Sequence, residues 1–157
     1  MWNRLKYTGV AIGLVTLFLL VTFKFVEEYS WNSWNLPLSG KVIVLDPGHG
    51  GPDGGAAIGG VLEKDISLSV SNMVRDYLQE QGALVLMTRE KDSDLAGDVQ
   101  GYRARKREDL MQRVKLINDS QADMYLSIHL NAFPSADSRG AQTFYTLRYK
   151  ENKELAQ

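Results

Sequence analysis

The chain has no cysteine. That one absence removes disulfides, thiolate metal sites and cysteine nucleophiles. Histidine is almost as scarce: His49 and His129 are the only two, so any imidazole chemistry must use one or both. Clustered positive charge is scarce as well. Three of the 18 basic residues, Arg4, Lys6 and Lys24, lie in the first 26 residues, which hold no acid; the other 15 face 19 acids. An acidic domain lacks the Lys/Arg density that a phosphate backbone requires, so no nucleic-acid partner is expected. The one basic cluster, Arg103, Arg105, Lys106 and Arg107, runs directly into Glu108 and Asp109. It reads as the solvated start of a helix.

What is present begins with an apolar run. From Tyr7 to Phe23 no residue is charged. Counted on past Lys24, whose stem can snorkel, the run to Val26 makes a helix of about 30 Å, the thickness of a bilayer's hydrocarbon core. Arg4 and Lys6 precede it, and Glu27 and Glu28 follow. The positive-inside rule then places the N-terminus in the cytoplasm and the rest of the chain outside. Residues 1–28 are therefore expected to be an N-terminal membrane anchor, with a cleaved signal sequence, and hence secretion, as the alternative. Residues 29–40 read as a connector. Its Trp31 and Trp34 suit either the membrane interface or the flank of the domain.

Residues 41–157 have the length of one domain with one core. Residues 41–45 are short, apolar and β-branched, as in a strand buried on both faces of a parallel sheet. Seven glycines between Gly48 and Gly60 follow it, in a loop too poor in side chains to pack a core, which points to close backbone approach. Their spacing matches neither a Walker loop nor a dinucleotide fingerprint. A helix is expected over 65–81, with Ile66, Val70, Met73, Val74, Tyr77 and Leu78 as its apolar stripe and Gly82 as its stop. Strands are expected at 83–88, 124–130 and 140–147. A second helix is expected over 104–118, with Leu110, Val114 and Ile117 facing in, and a polar helix start near 151–157. The fold class is thus α/β, a mostly parallel sheet flanked by helices and preceded by one transmembrane helix.

In such sheets ligands gather at the carboxyl ends of the strands. His49 follows the first strand and His129 lies near the end of the third, so both histidines share one edge. Two imidazoles and a carboxylate are a donor set for hydrolytic zinc, which keeps one position for water. Glu63 is the best-placed acid, with Asp46, Asp53 and Asp65 competing. The plain alternative for Glu63 is a helix-start carboxylate favoured by the helix dipole.

The blocks Asp46-Pro47-Gly48-His49-Gly50-Gly51, Glu63-Lys64-Asp65 and Ser127-Ile128-His129-Leu130-Asn131-Ala132 resemble the signatures of the zinc N-acetylmuramoyl-L-alanine amidases of the amidase type 3 family. Thr88-Arg89-Glu90 and the segment from Arg113 to Asn118 resemble its internal blocks. Within that family the N-terminal run, the connector and the long glycine loop are most similar to the spore-cortex amidases of endospore formers. The resemblance implies Zn²⁺ held by His49, Glu63 and His129. It implies peptidoglycan as substrate and cleavage between the lactyl group of N-acetylmuramic acid and L-alanine. It also implies a part in muramic-δ-lactam formation in the cortex, with a muramic-acid deacetylase acting in the same pathway, and in germination. Asp46 is either the orienting partner of a ligand imidazole or a turn former before Pro47. Asn131 either binds substrate or finishes its strand. Arg89 is expected to be a structural ion-pair partner.

The family's second glutamate, its general base, sits in a block resembling Glu-x-Gly-Phe-Leu-x-Asn, and no such block precedes Gln157. The sheet is therefore expected to be incomplete, the base to lie beyond Gln157, and these 157 residues alone to be nearly inactive. A peptidoglycan-binding remnant without turnover and a zinc peptidase cutting within the stem peptide are the competing functions.

Overall fold

The computed structural model describes residues 2–34, 36–130 and 140–156, without the side chains of 2–6, 8, 10 and 27–34. In chain order the elements are α1 (Trp2–Trp34), β1 (Val42–Pro47), β2 (Ala57–Ile58), β3 (Val61–Leu62), α2 (Glu63–Glu80), β4 (Leu84–Met87), α3 (Tyr102–Asp119), β5 (Met124–Ile128) and α4 (Glu151–Leu155).

Three strands form a parallel sheet in the order β4-β1-β5. The most buried strand takes the centre, and Val44 and Leu45 are fully buried there, each worth about 1.5–3 kcal/mol of burial. Asp123 pins the start of the sheet. Its carboxylate accepts from the Val42 backbone N–H at 2.8 Å and from Lys41 Nζ at 2.9 Å. On one face Ile43, Leu45, Ala83 and Val85 make the core, with Val74 and Leu78 of α2 packed on it. On strands of period two, Leu84, Leu86 and Tyr125 point the other way, and all three are exposed.

Helix α3 turns a different face inward from the one its apolar residues mark, and in α2 the expected stripe faces inward only in part. In α2 the buried row is Glu63, Ser67 and Ser71, continued by Val74 and Leu78; Met73 and Tyr77 are exposed. The first half of α2 lies against the polar turn after β1, where Ser67 Oγ donates to the Gly48 carbonyl at 2.8 Å. In α3 the buried residues are Asp109 and Arg113, whereas Leu110 and Val114 are more than half exposed. The reason is electrostatic: Arg113 is drawn in to Asp46 at 2.7 Å.

Other expectations change too. Residues 140–147 form no strand. The glycine loop contains a small hairpin, β2 paired antiparallel with β3. The first helix runs six residues past the expected end of the anchor, to Trp34. Among the described residues no helix is long and apolar enough to cross a membrane. The expected span at 7–26 is helical.

Candidate metal centre

The chain leaves β1 through Pro47 and Gly48 into His49, which adopts φ 63. A left-handed histidine is uncommon and persists only where its surroundings enforce it. Here two arginines hold the turn by its carbonyls. Arg113 donates to the carbonyls of Pro47 at 2.8 Å and His49 at 2.7 Å. Arg89 donates to those of Pro47 at 3.0 Å and Gly48 at 2.9 Å, and to that of Lys64 in α2 at 2.8 Å. Arg89 is thus structural, as expected, but through carbonyls rather than a carboxylate partner. Burial and the neighbouring Arg113 charge together lower its pKa.

The glycines after β1 leave room for the ligand side chains. A methyl group at Gly48 would fall on the His129 ring, 2.7 Å from Nε2. One at Gly55 would lie 2.7 Å from both Glu63 Oε2 and His49 Cδ2. Only glycine tolerates either approach.

His49, Glu63 and His129 then converge. Glu63 Oε1 lies 3.2 Å from His49 Nε2 and 3.1 Å from His129 Nδ1. One ligand atom from each residue falls within 4.8 Å of the others. The two imidazole planes stand at 80° with centroids 4.9 Å apart. Glu63 is 5% exposed and His129 46% at the side chain, so the cluster has a buried floor and an open side. Backbone N–H groups of Ala56 and Leu130 fix the two Glu63 oxygens, at 2.9 and 2.8 Å. Burial pushes the Glu63 carboxyl upward, but these two donors and the nearby imidazoles hold it below its ordinary value.

This donor set fits zinc. Two nitrogens and a carboxylate oxygen are its usual hydrolytic ligands, and N···O separations of 3.1 and 3.2 Å are close to the roughly 3.4 Å edge of a zinc tetrahedron. The competing acids are elsewhere. Asp65 is an exposed first-turn residue of α2. The Asp46 carboxylate is taken up by Thr88 Oγ1, Arg113 and Ser127 Oγ, all at 2.7 Å, and so does not orient an imidazole. It instead ties the ends of all three strands to α3. Burial pushes its pKa up, but those hydrogen bonds and the Arg113 charge bring it below 3.8. Asp53 sits on the far side of the His49 ring, with Oδ2 3.0 Å from Nδ1. Asn131 lies outside the described residues.

Three contributors were not assigned these places from the amino-acid order. Arg113 was visible only as part of a motif block, although Asp109 one turn earlier signalled an i, i+4 pair. Two of the four clustered basic residues are engaged rather than merely solvated. Arg105 binds Asp94 at 2.7 Å and Lys106 binds Asp53 at 3.0 Å.

Comparison with known proteins supplies the family. The family model described as N-acetylmuramoyl-L-alanine amidase matches residues 43–157. The germination-specific N-acetylmuramoyl-L-alanine amidase of Bacillus subtilis (strain 168) is 57% identical over 157 residues, 99% of this chain and 66% of that protein. The CwlD amidase of Clostridioides difficile, solved in complex with the GerS lipoprotein, superposes with a TM-score of 0.71 at 41% identity. That match covers 74% of this chain and 61% of that one. The catalytic domain of CwlV, an amidase from Bacillus (Paenibacillus) polymyxa var. colistinus, gives a TM-score of 0.55 at 29% identity, over 74% of this chain and 58% of that one. The chain thus spans less than two thirds of the length of these relatives. With the family's model aligned from β1 onward and over half the residues shared with one member, the chain belongs to the N-acetylmuramoyl-L-alanine amidase family.

Proposed function

We propose that the protein is a zinc-dependent amidase that hydrolyses the bond between N-acetylmuramic acid and L-alanine in peptidoglycan, in spore-cortex maturation and germination. The observation that carries this reading is the convergence of His49, Glu63 and His129 within 4.8 Å at the carboxyl edge of the sheet. Family membership and the likeness to a germination-specific amidase supply the substrate. Zinc, when bound, supplies a water of lowered pKa and polarises the scissile carbonyl.

The chain's own residues have distinct parts. His49 and His129 offer ring nitrogens, and Glu63 offers the charge. The ionised state of Glu63, favoured by the Ala56 and Leu130 N–H groups, keeps the set ready for a divalent cation. The open side at His129 is where a glycan-linked peptide reaches the site. The departing amine needs a proton, and no described residue is assigned that role.

The wider setting belongs to the same proposal. The N-terminal helix, whose described residues 11–26 include Leu17, Phe18, Leu19 and Leu20, all more than half exposed, anchors the domain on the outer face of the membrane. A deacetylase acting on the stripped muramic acid completes the lactam. In the C. difficile relative a lipoprotein, GerS, is bound, and a partner of that kind is the class to seek here.

Incubation of the protein with purified cortex and zinc tests this. Mass spectrometry is expected to find stem peptides with a free L-alanine amino terminus, released slowly because no described residue serves as the general base, and none after Glu63→Ala. Release of a different amine, from within the peptide, would make the protein a peptidase; metal and wall binding without release would make it a binding module.

A further inference from the structure

The imidazole of His49 has two nitrogens, and the metal cluster accounts for one. The other, Nδ1, faces Asp53 Oδ2 at 3.0 Å. The hairpin-like turn that carries Asp53 is closed on itself. Gly50 N–H donates to the Asp53 carbonyl at 2.9 Å, and Asp53 N–H donates back to Gly50 at 3.1 Å. Its carboxylate is held from three more directions. Lys106 Nζ lies 3.0 Å away, Tyr102 Oη donates at 3.3 Å and the Gly55 N–H at 3.3 Å. The Asp53 side chain is 16% exposed. Burial pushes its carboxyl upward, but the His49 and Lys106 hydrogen bonds outweigh this and hold it far below the usual carboxylate range.

We propose that Asp53, clamped by Lys106 and Tyr102 of α3, is the positioning residue that fixes His49 as the Nδ1–H tautomer and aims Nε2 at the metal. An ionised carboxylate only accepts, so the 3.0 Å contact requires the proton on Nδ1. Nε2 is then the nitrogen that faces Glu63 Oε1, 3.2 Å away, on the side where a metal would be held. Asp53 is excluded as a ligand of that same ion, because Nδ1 and Nε2 diverge across the ring. Such carboxylate–histidine–metal arrangements raise ligand basicity, and removing the carboxylate typically costs about 10–100-fold in metal affinity. The basic cluster of α3 thereby joins the site, since Lys106 carries the hold from the helix to the metal turn. The role of Asp53 rests on the zinc reading of the cluster.

Two measurements on the 157-residue chain in detergent micelles decide it. The first is ¹⁵N NMR of the histidines in the zinc-loaded protein, where the nitrogen that holds the metal carries no proton. His49 is expected as the Nδ1–H tautomer in the unsubstituted chain and as a mixture in Asp53→Ala. The second is zinc affinity by competition with a chelator. Asp53→Ala is expected to weaken it about 10–100-fold. Asp53→Asn, whose amide oxygen still accepts from Nδ1, is expected to keep the tautomer and lose less. Far-UV circular dichroism monitors folding. An unsubstituted His49 without the Nδ1–H tautomer overturns the inference. So does an Asp53→Ala affinity within twofold of the original, or an equal loss in the Ala and Asn variants. Absence of zinc binding by the unsubstituted chain sinks the metal reading instead, whereas zinc bound without a proton on His49 Nδ1 sinks the role of Asp53 alone.

Discussion

Single residues set the reach of the cluster. Gly48 lies under the His129 ring so closely that any side chain must displace a candidate ligand. Gly48→Ala is therefore expected to fold, since the turn is held by its carbonyls, but to weaken zinc binding at least tenfold; isothermal titration calorimetry checks this. Asp46 carries the second consequence. Its pKa in the folded state is below the ordinary 3.8. An Asp shifted that way contributes stability fully above its unfolded pKa, and the contribution fades as pH falls through the folded value. Stability is therefore expected to be flat above about pH 5 and to decline below about pH 4. Asp46→Asn should flatten that acid limb in equilibrium denaturation at a series of pH values.

Helix α3 meets the sheet at the turn rather than across an apolar seam. Arg113 of α3 is 5% exposed at the side chain, between Asp46 and Asp109, and reaches two carbonyls besides. Removing one partner of a buried pair costs about 3–5 kcal/mol, because the other charge is left uncompensated. Arg113→Met is expected to destabilise by that amount, and pairing it with Asp46→Asn should recover part of it in a double-mutant cycle by urea denaturation. Helix α1 is a separate case, since it carries a row of exposed apolar side chains. Deleting residues 1–26 is expected to move the protein from the membrane to the soluble fraction, as flotation on a sucrose gradient would record. Equal flotation with and without the segment would remove the anchor from the proposal.

For the whole molecule, metal and fold are linked. The candidate ligands come from the β1 turn, the start of α2 and the segment after β5, so a bound ion ties together elements distant in sequence. A ligand at a hundred times its dissociation constant adds about 2.7 kcal/mol to stability. Zinc is expected to raise the thermal midpoint by several degrees and a chelator to reverse it, as scanning calorimetry would show; an unchanged midpoint would mean no native-state zinc site.

The order of the sheet-forming segments, the central place of β1, the Gly82 stop of α2 and the shared edge of the two histidines all followed from the amino-acid order. They depend on local periodicity, chain connectivity and the rule that ligands meet strand ends. The inward face of α3 did not follow, and that of α2 followed only in part, at Val74 and Leu78. Apolar spacing pointed to Met73, Tyr77, Leu110 and Val114, yet Ser67, Asp109 and Arg113 are the buried residues, because polar groups from four elements satisfy one another around a turn. The strand expected at 140–147 did not form. The division of labour among the acids was likewise tertiary. Spacing put Glu63 ahead of Asp46 and Asp53 but gave none of them a distinct partner. Only the packed structure separates one that binds an arginine, one that backs an imidazole and one that faces both histidines, since hydrogen-bond direction and burial exist only once distant segments are brought together.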